Sequence, residues 1–110
     1  MRRLTLCALA AVFLAGCGGG VDGEWSIQMT NTCSGRMAID GPDSALQGYW
    51  DCSNAQGLLS GTRVGNRVSL VLKAGILLHP LRVDAIQDGS SMRGSVQAEN
   101  YPQHEFVASK

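Results

Sequence analysis

The chain after residue 20 is a succession of short segments in which apolar and polar residues alternate. In the clearest of them, residues 67–73, the side chains of Val68, Leu70 and Leu72 recur at every second position. Alternation with a period of two places these side chains on one face of a β-strand. No window of about 11 residues in this part of the chain has the 3.6-residue apolar spacing of an amphipathic helix. The pattern therefore predicts an all-β domain.

Turn residues separate these segments and limit their length. Gly65-Asn66 and Asp88-Gly89 are typical of tight hairpins, and the run from Gly41 to Ser44 also favours a reversal. Because Pro80 has no N–H to donate, we expect an edge, a bulge or a strand end at that point. We predict eight strands, at residues 24–29, 36–40, 46–50, 57–62, 67–73, 77–87, 92–98 and 104–109.

Connections this short favour antiparallel neighbours. We therefore predict an eight-stranded antiparallel meander that closes into a β-barrel and so removes its exposed edges. An open β-sandwich of the same strands is the alternative. A barrel of eight strands has an interior that side chains just fill, or that holds one small ligand. In a chain with only 5% aromatic residues, Trp25 and Trp50 are predicted core residues that could plug the barrel; alternatively, they line a pocket.

The N-terminus has the pattern of an export signal. Arginines at positions 2 and 3 precede an uncharged, mostly apolar run at residues 4–15. That run is shorter than the roughly 20 residues that a membrane-spanning helix needs, and it has the length and flanks of a signal-peptide core. An aliphatic residue, two small residues and a cysteine end this region: Leu14, Ala15, Gly16 and Cys17.

These four residues resemble the lipobox of bacterial lipoproteins. The resemblance implies that Cys17 carries a diacylglyceryl group, that the chain is cut before it, and that the new amine is acylated. Residues 1–16 would then be a cleaved signal helix, residues 17–22 a lipidated Gly-rich tether, and residues 23–110 a single barrel-like domain. Gly18, where some lipoproteins of enteric bacteria carry Asp, favours the outer membrane over the inner one. An ordinary secretory peptide cut nearby and an N-terminal core helix are the alternatives.

Two cysteines remain once the signal and the lipidated residue are set aside. Cys7 lies within the signal, which leaves Cys33 and Cys52 in an exported and therefore oxidising compartment. We predict a disulfide between them. The alternatives are two free buried thiols or a metal site, although no further ligand lies at a useful spacing.

A second resemblance covers the first third of the domain. Gly23-Glu24-Trp25 resembles the G-x-W of lipocalins and other calycins, in which the tryptophan plugs the closed end of the barrel. With Cys33 and Cys52 it also resembles the small periplasmic barrel inhibitors of secreted metalloproteases. Those inhibitors insert an N-terminal trunk into the protease cleft, and the corresponding segment here is the short, lipid-tethered stretch of residues 17–22.

Composition narrows the function classes. The chain has nine basic and nine acidic residues, and loss of the signal arginines leaves a weakly acidic domain without a Lys/Arg cluster. This argues against nucleic acid as a partner and against electrostatic docking on anionic lipid. His79 and His104 lack partners at metal-binding spacings, and no G-x-S-x-G is present. We therefore predict no enzymatic activity, no cofactor and no metal.

These observations together predict a membrane-anchored lipoprotein of the bacterial envelope that serves as a binding or structural module. Its partners would be the bilayer, through acylated Cys17, and an envelope protein or the cell wall. A small apolar-ligand carrier of calycin type and a periplasmic protease inhibitor are the alternatives. The consecutive apolar residues Ile76-Leu77-Leu78 are expected to be core or, alternatively, a partner or membrane contact.

Overall fold

The computed structural model describes residues 20–30, 33–53, 55–74, 79–99 and 102–110. Every strand pairs antiparallel with the next one along the chain, and the last strand pairs with the first. The predicted closed barrel is confirmed, and the open sandwich is wrong. The strands are β1 (Gly23–Met29), β2 (Cys33–Asp40), β3 (Leu46–Cys52), β4 (Ala55–Val64), β5 (Arg67–Lys73), β6 (Leu81–Asp88), β7 (Ser91–Ala98) and β8 (His104–Ser109).

The strand limits follow the local chemistry of the chain. Strand β6 begins at Leu81, directly after Pro80, so the missing N–H falls outside the ladder, as expected. Gly65 and Gly89 have φ values of 64° and 65° in the tight turns that lead into β5 and β7. Strand β4 extends beyond the predicted residues 57–62 at both ends. The patch Ile76-Leu77-Leu78 lies outside the described residues.

The barrel has two distinct ends. One end, which we call the proximal end, holds three connections between strands, at residues 41–45, 65–66 and 89–90. Residues 20–22 and Lys110 lie at this end too. The opposite ends of the strands, where β1, β3, β5 and β7 end and β2, β4, β6 and β8 begin, form the other end of the barrel, which we call the distal end. The chain therefore enters and leaves the barrel at the same end.

The inward positions of the strands form one hydrophobic core. Both tryptophans belong to it, which confirms their predicted core location, and burial of such large rings contributes strongly to stability. The side chain of Tyr49, between the inward residues of β3, is exposed as the alternation predicts. The largest fully buried side chains are Trp25, Trp50, Phe106, Ile27, Met37, Leu46, Leu70, Leu72, Met92, Val21 and Val68.

Five inward positions are glycines at which neighbouring strands come unusually close. At Gly57 an added Cβ would lie 2.7 Å from the carbonyl carbon of Lys73 and 2.9 Å from Cα of Ala74. Atoms of the backbone cannot give way as a flexible side chain can, so only glycine fits there. Because glycine has no side chain, the strands can come this close and coil strongly, as a small barrel requires. The other four crowded positions are Gly35, Gly48, Gly61 and Gly94.

The predicted disulfide between Cys33 and Cys52 is confirmed, with Cα atoms 5.6 Å apart. It joins the start of β2 to the end of β3 at the distal end of the barrel. Cys52 is buried among core residues, so the bond is part of the hydrophobic interior as well as a covalent link between the strands.

Loss of this disulfide is expected to lower the melting temperature by roughly 10–20 °C. The reason is that a link across a sequence separation of 19 restricts the unfolded chain and contributes about 3 kcal/mol to the free energy of unfolding. The measurement is thermal unfolding of the double variant Cys33→Ala/Cys52→Ala. Reductant added to the wild type serves as the control and is expected to produce a similar drop. A wild type that does not respond to reductant would contradict the prediction.

Candidate functional site

The proximal end is covered by the chain segment that enters the barrel. The side chain of Val21 is only 1% exposed and joins the core. Trp25, two residues into β1, donates its indole N–H to the carbonyl oxygen of Val21 over 2.8 Å. The described part of the predicted tether, residues 20–22, therefore packs as part of the folded domain.

Two polar side chains hold the residue just before Val21. Gln87 Nε2 donates to the carbonyl oxygens of Gly20 and Gly89, at 2.9 and 3.0 Å. Lys110 Nζ donates to the Gly20 carbonyl oxygen at 3.3 Å and lies 5.0 Å from the centre of the Trp25 ring, a cation–π distance. We call Val21, Trp25, Gln87 and Lys110 the N-terminal clamp.

Gln87 is a polar residue in an apolar environment. It occupies an inward position of β6, after Val83 and Ala85, and is 6% exposed. Its Oε1 atom is buried and accepts no hydrogen bond among the described residues. A glutamine at the end of an apolar inward row is the sequence signal that could have identified the clamp, because a buried amide needs partners.

The distal end holds the second tryptophan. Trp50 donates its indole N–H to the carbonyl oxygen of Lys73, the last residue of β5, over 3.1 Å. The two tryptophans therefore lie toward opposite ends of the interior, and the N–H of each has a backbone acceptor. Both rings lie inside the barrel with nine other large, fully buried side chains, which favours a filled interior over a ligand cavity.

A surface depression of about 320 Å³ lies near the distal end. His79 Nδ1 is 3.1 Å from a carboxylate oxygen of Glu99, and both side chains are well exposed to solvent. This pair has no signal in the sequence, because the two residues meet only through the pairing of β6 with β7. The depression is completed by Pro80, Arg82, Gln97 and Ala98.

The predicted lack of enzymatic activity stays a prediction. No group of three or more His, Cys, Asp or Glu side chains able to hold a metal ion occurs in the part of the chain that the structure describes. His104, at the start of β8, lies opposite Val96 of β7, away from His79. The lipobox residues Leu14, Ala15, Gly16 and Cys17 lie outside the described residues, so their predicted role stays a prediction.

In the described parts of the chain, four large apolar side chains are exposed on the outer surface. Tyr49 and Leu58 are cross-strand neighbours on β3 and β4. Val64 and Ile86 lie nearer the proximal end, each opposite Arg67 of β5. Among the described residues no helix is long and apolar enough to cross a membrane.

Comparisons of the chain with protein families, with curated proteins and with solved structures found no match. The resemblance to calycins and to the barrel inhibitors therefore stays a prediction that rests on Gly23, Trp25, Cys33 and Cys52.

Proposed function

We propose that the protein is a non-enzymatic lipoprotein of the bacterial envelope, in which a filled barrel serves as a binding module held at the membrane by acyl chains on Cys17. The observation that carries the proposal is the N-terminal clamp. It fastens Gly20, three residues after the predicted lipidation site, to the core of the barrel. An acyl anchor at Cys17 would thus hold a folded domain, with almost no spacer between them.

The filled interior favours a binding surface on the outside of the barrel over the carriage of an apolar ligand. Five inward positions are glycines, but large side chains occupy most of the others, and a tryptophan lies toward each end. A carrier would need to displace Trp25 or Trp50 and break its indole hydrogen bond, which is buried at Trp25 and part-buried at Trp50. A backbone carbonyl would then lack its donor. We therefore propose that the partner, an envelope protein or the cell wall, contacts the outward face of the strands or the connections between them.

The inhibitor alternative is less well supported. An inhibitory trunk has to project from the barrel to enter a protease cleft, whereas residues 20–22 are held against the proximal end and Val21 is buried. Only residues 17–19 would remain to project, and Cys17 is the predicted lipid attachment site. A soluble domain that inhibits a secreted metalloprotease in a titration would reverse this ranking.

The anchoring is tested by labelling cells with an alkyne fatty acid. We expect the wild type to be labelled and retained in the membrane fraction, with preference for the outer membrane, and Cys17→Ser to lose both label and retention. The reason is that two acyl chains suffice for stable attachment, at roughly 0.8 kcal/mol per buried CH₂.

Cys7→Ser is the matched control, because Cys7 lies in the predicted signal and its loss should leave labelling unchanged. An unlabelled, soluble wild type would contradict the proposal and indicate a freely secreted domain. Crosslinking in intact envelopes then tests the binding role, and failure to recover any specific partner would count against it.

A further inference from the structure

The clamp sets how far the barrel can stand from its anchor. Three residue steps separate Cys17 from Gly20, and an extended chain spans at most about 3.6 Å per residue, or roughly 11 Å in all. The carbonyl of Gly20 is held by Gln87 and Lys110 at the proximal end. If Cys17 is lipidated, the proximal end is therefore confined to the layer next to the phospholipid head groups.

An apolar and basic strip lies on the outer surface near this same end. Val64, the last residue of β4, is 77% exposed, and Ile86 of β6 is 45% exposed. Arg67, the first residue of β5, lies between them and is paired in register with both. We call Val64, Arg67 and Ile86 the proximal strip.

The chemistry of the proximal strip suits the boundary between head groups and acyl chains. Val64 and Ile86 present apolar surface, while a long arginine side chain can lie along such surface and keep its charge in the head-group layer. Arg67 forms no ion pair with a described carboxylate. Its guanidinium is therefore available to a phosphate.

The charges around the strip decide which lipid it suits. Arg93, opposite Ile86, is paired with Glu105 at 3.1 Å, and Arg63 lies 4.0 Å from Asp43. The other charged residues at this end nearly balance: exposed Asp22, Asp40 and Asp88 against Arg67 and Lys110. A strongly anionic surface would repel these carboxylates. The strip is therefore better matched to a zwitterionic phospholipid, whose phosphate can pair with Arg67 without a large net surface charge.

We propose that the proximal strip contacts zwitterionic phospholipid head groups. The proximal end of the barrel then faces the membrane, and the distal end and the Tyr49–Leu58 pair face away from it. This inference rests on the proposed lipidation of Cys17. It adds a second, non-covalent contact to the acyl anchor and assigns the surface that remains free for a partner.

Strand β4 itself provides a matched pair of positions for the test. Leu58 and Val64 are both outward, apolar and exposed, at 70% and 77%. They are six residues apart on one strand, which separates them by about 20 Å along its direction. Height above the membrane is the main difference that a probe at the two positions would report.

The experiment uses the mature, acylated protein in phosphatidylcholine vesicles, with an environment-sensitive fluorophore attached to Val64→Cys or to Leu58→Cys. Vesicles carry a nitroxide on the lipid head group as quencher. We expect several-fold stronger quenching and a blue-shifted emission for the probe at position 64. Circular dichroism of each labelled variant checks that the barrel is folded.

Flotation of the same vesicles separates the two proposals. Protein that floats but shows equal quenching at positions 58 and 64, or stronger quenching at 58, would overturn the strip contact and leave the anchoring intact. Protein that does not float would overturn both. Quenching at position 64 that increases when phosphatidylglycerol replaces part of the phosphatidylcholine would overturn the assignment to zwitterionic lipid.

Discussion

Replacing Gly57 with alanine is expected to destabilise the barrel by about 3 kcal/mol, the upper end of the usual cost of overpacking and a large part of the stability of a domain this size. The new methyl group would meet the carbonyl carbon of Lys73 at 2.7 Å, so β5 would have to move away from β4. The same Lys73 carbonyl accepts the indole N–H of Trp50, and Trp50 lies directly opposite Gly57 on β3. A shift of β5 would therefore also disturb the part-buried hydrogen bond of Trp50.

The measurement is denaturant unfolding of Gly57→Ala beside Gly65→Ala. Gly65 has a φ of +64° and open space around the added Cβ, so its substitution carries only a backbone cost of roughly 1–2 kcal/mol. A larger loss at Gly57, which has no positive φ, would come from crowding alone. Equal losses in the two variants would show that the close approach of β4 and β5 is not a constraint.

Trp25→Ala is expected to cost about 3–5 kcal/mol and to loosen residues 20–22. Truncation leaves a cavity at the proximal end, removes the donor to the Val21 carbonyl, and removes the ring beneath Lys110. Denaturant unfolding measures the global loss. Hydrogen exchange of the segment that contains residues 20–22, under native conditions, measures the local loosening.

Two variants control this result. Trp50→Ala removes a ring of the same size toward the distal end and is expected to lower stability while residues 20–22 stay protected. Trp25→Phe keeps most of the apolar volume but leaves the Val21 carbonyl without its donor, at a cost of about 1–3 kcal/mol. If Trp25→Ala and Trp50→Ala increased exchange in residues 20–22 equally, the indole of Trp25 would not be what holds this segment.

Much of the fold could be predicted from local patterns. The alternation of Val68, Leu70 and Leu72 identifies the inward face of β5, because a strand repeats its direction every two residues. Pro80 predicts an edge, a bulge or a strand end, since proline cannot donate to the ladder, and β6 begins directly after it, at Leu81 and not at the predicted residue 77. Elimination of Cys7 and Cys17 left one pairing for Cys33 and Cys52, which the structure confirms. The lipidation of Cys17 stays a prediction.

The contacts that define the candidate surfaces could not be predicted in the same way. His79 and Glu99 have no periodic relation in the sequence, and they meet only because β6 and β7 pair in one particular register. Residues 17–22 were expected to be a tether because glycines dominate the first part of the segment, yet Val21 is buried. Whether Val21 is buried depends on the side chains that the folded barrel brings next to it, such as Trp25.

The sequence by itself determined the strands, the turns, the disulfide and the inward or outward direction of most side chains, because these depend on the order of neighbouring residues and on the count of cysteines. Only the tertiary structure decided that the chain entrance is held at the proximal end. Gly20 reaches Gln87 across 67 residues and Lys110 across 90. Residues so far apart in the sequence meet because the barrel closes. Closure brings the first and last strands together and creates contacts that no local pattern contains.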